Sequence, residues 1–249
     1  MTAKLFIVGT GPGDPELLTL KAVNTVRTCP VIISPRGYSD GISTALSILK
    51  PVIDLSEKEI HELHFPMKKV KSGCDPDPEI LVAWRYAAET VLAALDSGKD
   101  VCFPTLGDPA IYSTGYYLYE TICGLRNDIN VVFVPGVPAM SSCSASMARP
   151  ICLGDEMVAV IPATFSDSRL KEVLTLFDTI ILMKVHRVLG RLSTLLGSCD
   201  LLDCAVLVEH AGTDRERIIH DFSSLDAHPH YFSTIIVRKA PVTARVLKN

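Results

Sequence analysis

The stretch Lys4-Leu-Phe-Ile-Val8, Gly9-Thr-Gly11-Pro12-Gly13-Asp14-Pro15 and Glu16-Leu-Leu-Thr-Leu-Lys-Ala-Val-Asn-Thr-Val26 decides the fold. An apolar run enters a glycine-rich turn, and apolar residues at helical spacing follow it, which predicts strand, turn, helix. A second turn, Leu106-Gly107-Asp108-Pro109, again sets glycine beside Asp-Pro after the apolar run Val101–Pro104. In parallel α/β sheets such turns face the ligand. Asp-Pro is also how a helix starts, with Asp as N-cap and Pro first in the helix, so both Asp14 and Asp108 are expected to cap. Asp75-Pro76 and Asp77-Pro78 precede another helical stretch without site-like neighbours, so the signal is glycine next to Asp-Pro at strand ends, twice.

Two familiar phosphate sites are excluded. Gly9 and Gly11 match the start of a dinucleotide fingerprint, but Asp14 stands where the third glycine belongs. The next strand, Val31-Ile-Ile-Ser34, ends in Pro35-Arg36 instead of an acid for a ribose. No Gly-Lys-Ser/Thr follows the first turn, and Pro12 has no N–H to give a phosphate cradle. Two carboxylates beside the turns repel phosphate and suit a ligand that is neutral or cationic at its reactive end.

With 249 residues, 48% of them hydrophobic, and a net charge of −4, the chain can bury ample core and is expected to form two domains. No apolar run reaches the roughly 18 residues of a membrane span, and the first residues lead straight into a strand, so a cytoplasmic protein off the membrane is expected. The short run Lys68-Lys69-Val70-Lys71 reads as a solvated loop, which argues against nucleic acid as partner. Eight cysteines form no Cys-x-x-Cys pair, and Cys29, Cys102 and Cys123 sit in apolar patterns as small hydrophobes. His61-Glu-Leu-His64 has the i, i+3 spacing of a helix, and His228-Pro-His230 is a second pair. Neither has the partners of a zinc site, so no metal is expected.

The first half reads as strands at Lys4–Val8, Val31–Ser34, Val52–Leu55, Val101–Pro104 and Asn130–Val134. Helices are expected up to Thr28 and over Ile42–Leu49, Glu79–Leu95 and Tyr112–Leu125. Crossovers between five strands imply a mainly parallel sheet with helices on both faces. Glu57 to Pro78 is read as an irregular loop. A helix over Val137–Ala148 leads into a second unit with strands at Met157–Ile161, Thr179–Met183, Ala205–Val208, Ile218–His220 and Thr234–Val237. The short gap between the third and fourth predicts a hairpin and a mixed sheet. The expected fold class is therefore α/β in two domains, residues 1–137 with the parallel sheet and residues 138–249 with the mixed one.

Val8-Gly-Thr-Gly-Pro-Gly-Asp-Pro-Glu-Leu-Leu-Thr-Leu-Lys-Ala22, Thr105-Leu-Gly-Asp-Pro-Ala-Ile-Tyr-Ser-Thr114 and Val134-Pro-Gly136 together resemble the tetrapyrrole methylases, in order and spacing across nearly the whole chain. Within that family His64-Phe-Pro-Met67, the Asp-Pro-Ala-Ile-Tyr-Ser-Thr form of the second turn and Tyr231-Phe-Ser-Thr234 are most similar to the enzymes that methylate C20 of precorrin-2 or cobalt-factor II. The resemblance implies S-adenosylmethionine as cofactor, a cleft between the two domains, and a homodimer. A sulfonium is a cation, which agrees with carboxylates and carbonyls around the turns.

By the same resemblance Leu106, Gly107, Asp108, Ile111, Ser113 and Thr114 hold the cofactor from the first domain. Ser142, Met183, Ala211, Phe232, Ser233 and Thr234 hold it from the second. Pro12, Gly13, Arg36 and Tyr112 are expected against the tetrapyrrole, and Lys68, Lys69, Lys71 and Lys184 are further candidates for its carboxylates. Where the family has Ser or Thr after Pro-Gly-Val, this chain has Pro138-Ala139, and Ser141 or Ser142 is expected to compensate. The implied reaction is SN2 transfer of a methyl group to a nucleophilic bridge carbon, for which alignment and exclusion of water matter more than a base. Asp14, Asp108 and Tyr112 are the candidates for moving a proton. The alternatives are another ring position (C4, C11 or uroporphyrinogen), a diphthamide precursor, or a non-catalytic nucleotide-binding protein.

Overall fold

The computed structural model describes residues 2–37, 41–66, 76–222 and 230–240. In the first part of the chain β1 (Lys4–Gly9), β2 (Val31–Arg36), β3 (Glu59–His64), β4 (Val101–Thr105) and β5 (Asn130–Val134) form one sheet in the order β3-β2-β4-β1-β5. Every pairing in it is parallel, as the alternation of apolar runs and helices predicts. Its interior strands are buried on both sides, and the period-two alternation of side chains divides their residues between two cores. Leu5, Ile7, Ile33 and Phe103 pack under α3 (Pro78–Asp96) and α4 (Thr114–Leu125). Val8, Ile32, Cys102 and Val134 pack under α1 (Leu20–Thr28) and α2 (Thr44–Leu49).

Trp84 of α3 is buried between Phe65 and Tyr117, its ring stacked 4.6 Å from that of Tyr117 and 5.9 Å from that of Phe65. Helix starts follow the expected chemistry. Asp77 accepts the Glu79 N–H at α3, whose first residue is Pro78, and Ser43 caps α2.

Several expectations need correction. Val52–Leu55 is a turn, and the third strand is β3, inside the stretch read as a loop. β3 is an edge strand of sequence Glu-Ile-His-Glu-Leu-His that buries none of its residues, so it lacks the apolar run that marks a strand. Its extended backbone also puts His61 and His64 on opposite faces, unlike the helical spacing assumed for them. After Asp14 the chain makes a short 3₁₀ turn, Pro15–Leu17, and α1 begins only at Leu20, capped by Thr19.

The chain divides after Pro138 into two compact units. The second opens with α5 (Ala139–Ser146) and contains β6 (Val158–Pro162), α6 (Asp167–Leu176), β7 (Thr179–Met183), α7 (Leu189–Gly197), β8 (Ala205–Glu209), β9 (Arg217–Ile219) and β10 (Ser233–Arg238). Its sheet runs β6-β7-β10-β8-β9, with β6 and β7 parallel and the remaining pairs antiparallel, including the expected β8–β9 pair. Helices α6 and α7 cover Ile180, Leu182, Leu207 and Ile235 on one face. Helix α5 covers Ile181, Val206, Val208 and Ile236 on the other through Cys143.

Arg238 at the end of β10 is buried and holds Glu156 with two hydrogen bonds, 2.6 and 2.8 Å. Removing the carboxylate strands a buried guanidinium. Glu156→Ala is therefore expected to cost about 3 kcal/mol in urea unfolding, whereas the double change Glu156→Leu with Arg238→Met recovers most of it.

Candidate active site

Three turns leave the carboxyl ends of the neighbouring strands β4, β1 and β5, and they are tied together through backbone. Gly11 and Gly107 form a two-way bridge, Gly11 N–H to Gly107 O at 3.2 Å and Gly107 N–H to Gly11 O at 2.7 Å. Thr10 donates to Thr105 O through both its backbone N–H, 2.9 Å, and its hydroxyl, 3.1 Å. A Cβ on Gly9 would stand 2.6 Å from Gly136 N and 2.7 Å from Gly107 O, and one on Gly136 would collide with Gly107 O. Gly107 has φ +72°, and a Cβ there would meet nothing nearer than the Pro138 Cα at 4.0 Å. Its requirement for glycine is thus conformational, and the space beside it is open to a ligand.

Asp108 does not cap a helix, contrary to expectation. One carboxylate oxygen accepts the Ala110 N–H at 2.8 Å, closing a turn, and the other accepts the Gly136 N–H at 2.9 Å, reaching the turn after β5. Both oxygens are occupied by backbone, so Asp108 is built to position these turns more than to take a proton. Asp14 caps as expected, accepting the Glu16 N–H at 2.8 Å.

Helix α4 is capped by Ser113, whose hydroxyl accepts the Gly115 N–H and lies 2.9 Å from the Thr105 hydroxyl, with Thr114 3.4 Å from the same group. Tyr112 is half-exposed and has φ +50°, a conformation that an aromatic residue adopts only under constraint. Burial pushes its phenol pKa up, which keeps it neutral. Pro12, Gly13, Leu106 and Ile111 lie on these same turns, Ile111 donating its N–H to Asp108 O. Arg36 ends β2 at the same edge of the sheet.

In the second unit Met183, Ser233 and Thr234 meet at one edge of the sheet, and the residues flanking those strand ends complete the group. Thr234 of β10 is paired with Met183 of β7 on one side and Val208 of β8 on the other, and Ser233 faces Glu209. The Thr234 hydroxyl points at the Met183 sulfur, 3.8 Å away. Ala211 is buried with Met183 and Cys143 in one apolar cluster, and Ser142 is buried next to Cys143 on α5.

The chain leaves β7 and β8 through Lys184 at φ +62° and His210 at φ +50°. Desolvation pushes the Lys184 ammonium down. Phe232 sits 5.3 Å from the His230 ring and 6.0 Å from that of His210, and the two imidazoles lie 4.0 Å apart, tilted by 33°. Met67, Lys68, Lys69, Lys71 and His228 lie outside the described residues. Among the described residues no three His, Cys, Asp or Glu side chains come together as a metal site.

Sequence reasoning passed over Glu209, Cys143 and His210. Glu209 is a buried acid that accepts the His230 N–H at 2.9 Å and faces the Arg217 guanidinium at 3.3 Å, so it fixes the residue that leads into Phe232. An acid closing the apolar run Ala205–Val208 was the available signal. Burial pushes the Cys143 thiol to about 12, so it stays protonated.

The sequence model of the family described as Tetrapyrrole (Corrin/Porphyrin) Methylases matches residues 4–225. The chain belongs to this family. A cobalt-precorrin-2 C(20)-methyltransferase of Salmonella typhimurium is 31% identical over 242 residues, which is 96% of this chain and 98% of that protein. A precorrin-2 C(20)-methyltransferase of a Sinorhizobium species is 32% identical over 242 residues, 94% of each chain. Among solved structures, a cobalt precorrin-4 methyltransferase superposes with a TM-score of 0.68 at 19% identity, covering 94% of both chains. A uroporphyrin-III C-methyl transferase from Thermus thermophilus, complexed with S-adenyl homocysteine, gives 0.66 at 21% identity, covering 95% of this chain and 98% of that one. These two show that the methylase shares its two-domain α/β fold with them.

Two outcomes follow from the geometry. Asp108→Ala leaves two backbone N–H groups without their acceptor, and a loss of about 1–3 kcal/mol is expected in urea unfolding, with Asp108→Asn losing less. Desolvation first and the neighbouring His230 second hold the His210 pKa below the ordinary imidazole value of 6.5. The unfolded chain therefore binds a proton before the folded one does. The stability that depends on neutral His210 is complete above about pH 6.5 and lost as pH falls through the lower folded value. A melting-temperature profile is expected to fall over that window, and to fall less steeply for His210→Asn, which tolerates the positive φ.

Proposed function

We propose that this methylase transfers a methyl group from S-adenosylmethionine to C20 of precorrin-2 or cobalt-factor II in cobalamin biosynthesis. The observation that carries the reading is the near-full-length identity, 31% and 32%, to relatives named for that reaction. The chemistry of the two residue groups supports it. In the first unit the open space beside Gly107 and the fixed Asp108 turn offer a ligand backbone at close range with negative charge nearby, which suits a sulfonium. In the second unit the small Ala211, the Met183 thioether and the Phe232 ring offer apolar contacts for a flat base, with the Ser233 and Thr234 backbone beside them.

S-adenosylmethionine, when bound, supplies an electrophilic methyl group on a cationic sulfur. The protein's part is to orient and to exclude water. Leu106, Gly107, Asp108, Ile111, Ser113 and Thr114 hold the cofactor in the first unit, and Ser142, Met183, Ala211, Phe232, Ser233 and Thr234 hold it in the second. Pro12, Gly13, Arg36 and Tyr112 meet the ring. The proton that leaves the bridge carbon needs no strong base; Asp14, Asp108 and Tyr112 are the candidates for handling it, Tyr112 only as a neutral phenol that hydrogen-bonds. The same reading makes the protein a cytoplasmic homodimer, and no helix among the described residues is long and apolar enough to cross a membrane.

Purified protein is to be incubated with methyl-labelled S-adenosylmethionine and either ring, and the product read by mass spectrometry and carbon NMR. Label at C20 is expected; label elsewhere on the ring overturns the position, and absence of cofactor binding overturns the reaction. Gly107→Ala must force an L side chain to φ +72° into the space assigned to the ligand. It is expected to lose at least about tenfold in affinity for S-adenosylhomocysteine by calorimetry while remaining folded, the backbone strain being about 1–2 kcal/mol.

A further inference from the structure

A cavity of about 550 Å³ opens in the first unit where β2 and β3 end beside α3. Arg36 and His64, paired in register as the last residues of their strands, line it together with Glu62, Val82 and Tyr86. Because the sheet is parallel, this is the same edge from which the turns after β4, β1 and β5 emerge. Two strand spacings separate β3 from β4, about 10 Å. A ligand held at the Gly107 turn and broad enough to span two strands therefore reaches this cavity.

Among the described residues the guanidinium of Arg36 is uncommitted. Its Nε is buried with no hydrogen-bond partner, and among the described residues it forms no ion pair, although the Glu62 carboxylate lines the same cavity. Glu62 is engaged elsewhere, accepting the Ser43 N–H at 2.9 Å. A buried donor with charge and no acceptor is costly unless a ligand supplies one, and a carboxylate matches the planar fork of an arginine. The opposite wall, from α3, presents Val82 and Tyr86, 70% and 60% exposed, against which a methylene arm or ring edge can lie, with the Glu79 carboxylate one turn before them. The Glu62 and Glu79 charges, against the one arginine, disfavour a second anionic arm in the same space.

We infer that Arg36 binds one peripheral carboxylate of the tetrapyrrole in this cavity and so sets which bridge carbon is presented for methylation. Arg36 is then a specificity-determining residue. The inference rests on the reaction proposed above, and it adds the anchor that selects the ring position.

The test uses the full chain with Arg36→Gln and Arg36→Lys, assayed on both rings. Removing a charge-assisted pair is expected to raise KM for the ring by about 10- to 100-fold in Arg36→Gln. The fraction of label outside C20 should rise, and affinity for S-adenosylhomocysteine should stay unchanged. Arg36→Lys keeps the charge without the fork and is expected to recover part of the KM and less of the positional fidelity. Since the guanidinium has no partner to lose among the described residues, both variants should melt close to the wild type. A wild type that methylates C20 alongside an Arg36→Gln variant with unchanged KM and unchanged product overturns the Arg36 assignment alone. A wild type that binds cofactor and methylates neither ring overturns the reaction beneath it.

Discussion

Three backbone segments approach one another at the carboxyl ends of β4, β1 and β5 more closely than any side chain allows. Gly9 and Gly136 touch main chain to main chain, and the carbonyl of Gly107 fills the place where either Cβ would go. Everything on this face of the first unit depends on that contact. It sets the Gly11–Gly107 bridge, puts Gly136 N–H within reach of Asp108, and leaves the far side of Gly107 open. A glycine-rich turn here acts as a spacer between strands more than as a cradle, and the open surface beside Gly107 is a by-product of packing backbone on backbone.

Much of this was legible in the sequence because glycine and Asp-Pro report local backbone needs. The central strands were legible as well, since burial on two faces writes an uninterrupted apolar run such as Val31–Ile33 or Val101–Phe103. Strand β3 was not, because an edge strand with charged side chains gains its structure from pairing with β2 and leaves no local pattern. The role of Asp108 was misread for a related reason. Its second partner, the Gly136 N–H, lies 28 residues away, and Asp-Pro spacing describes only the near one.

In the second unit the candidate residues Met183, Ala211, Phe232, Ser233 and Thr234 are scattered over some fifty positions, and no local rule joins them. Resemblance to a family proposed the group; antiparallel pairing of β10 between β7 and β8 brings its members together. The two left-handed residues that follow β7 and β8, Lys184 and His210, turn the chain sharply at that edge. Neither has the glycine that would have announced such a turn, and the same holds for Tyr112 in the first unit.

Trp84 has a consequence for how the molecule can be observed. It is the one tryptophan in the sequence, and it belongs wholly to the aromatic stack of the first unit, between Phe65 and Tyr117. Its intrinsic emission is therefore a private signal of that unit, to which the mixed sheet of the second contributes nothing. Comparing a fluorescence-detected denaturation curve with one from far-ultraviolet circular dichroism, which sees both sheets, measures how far the two units share a single cooperative transition.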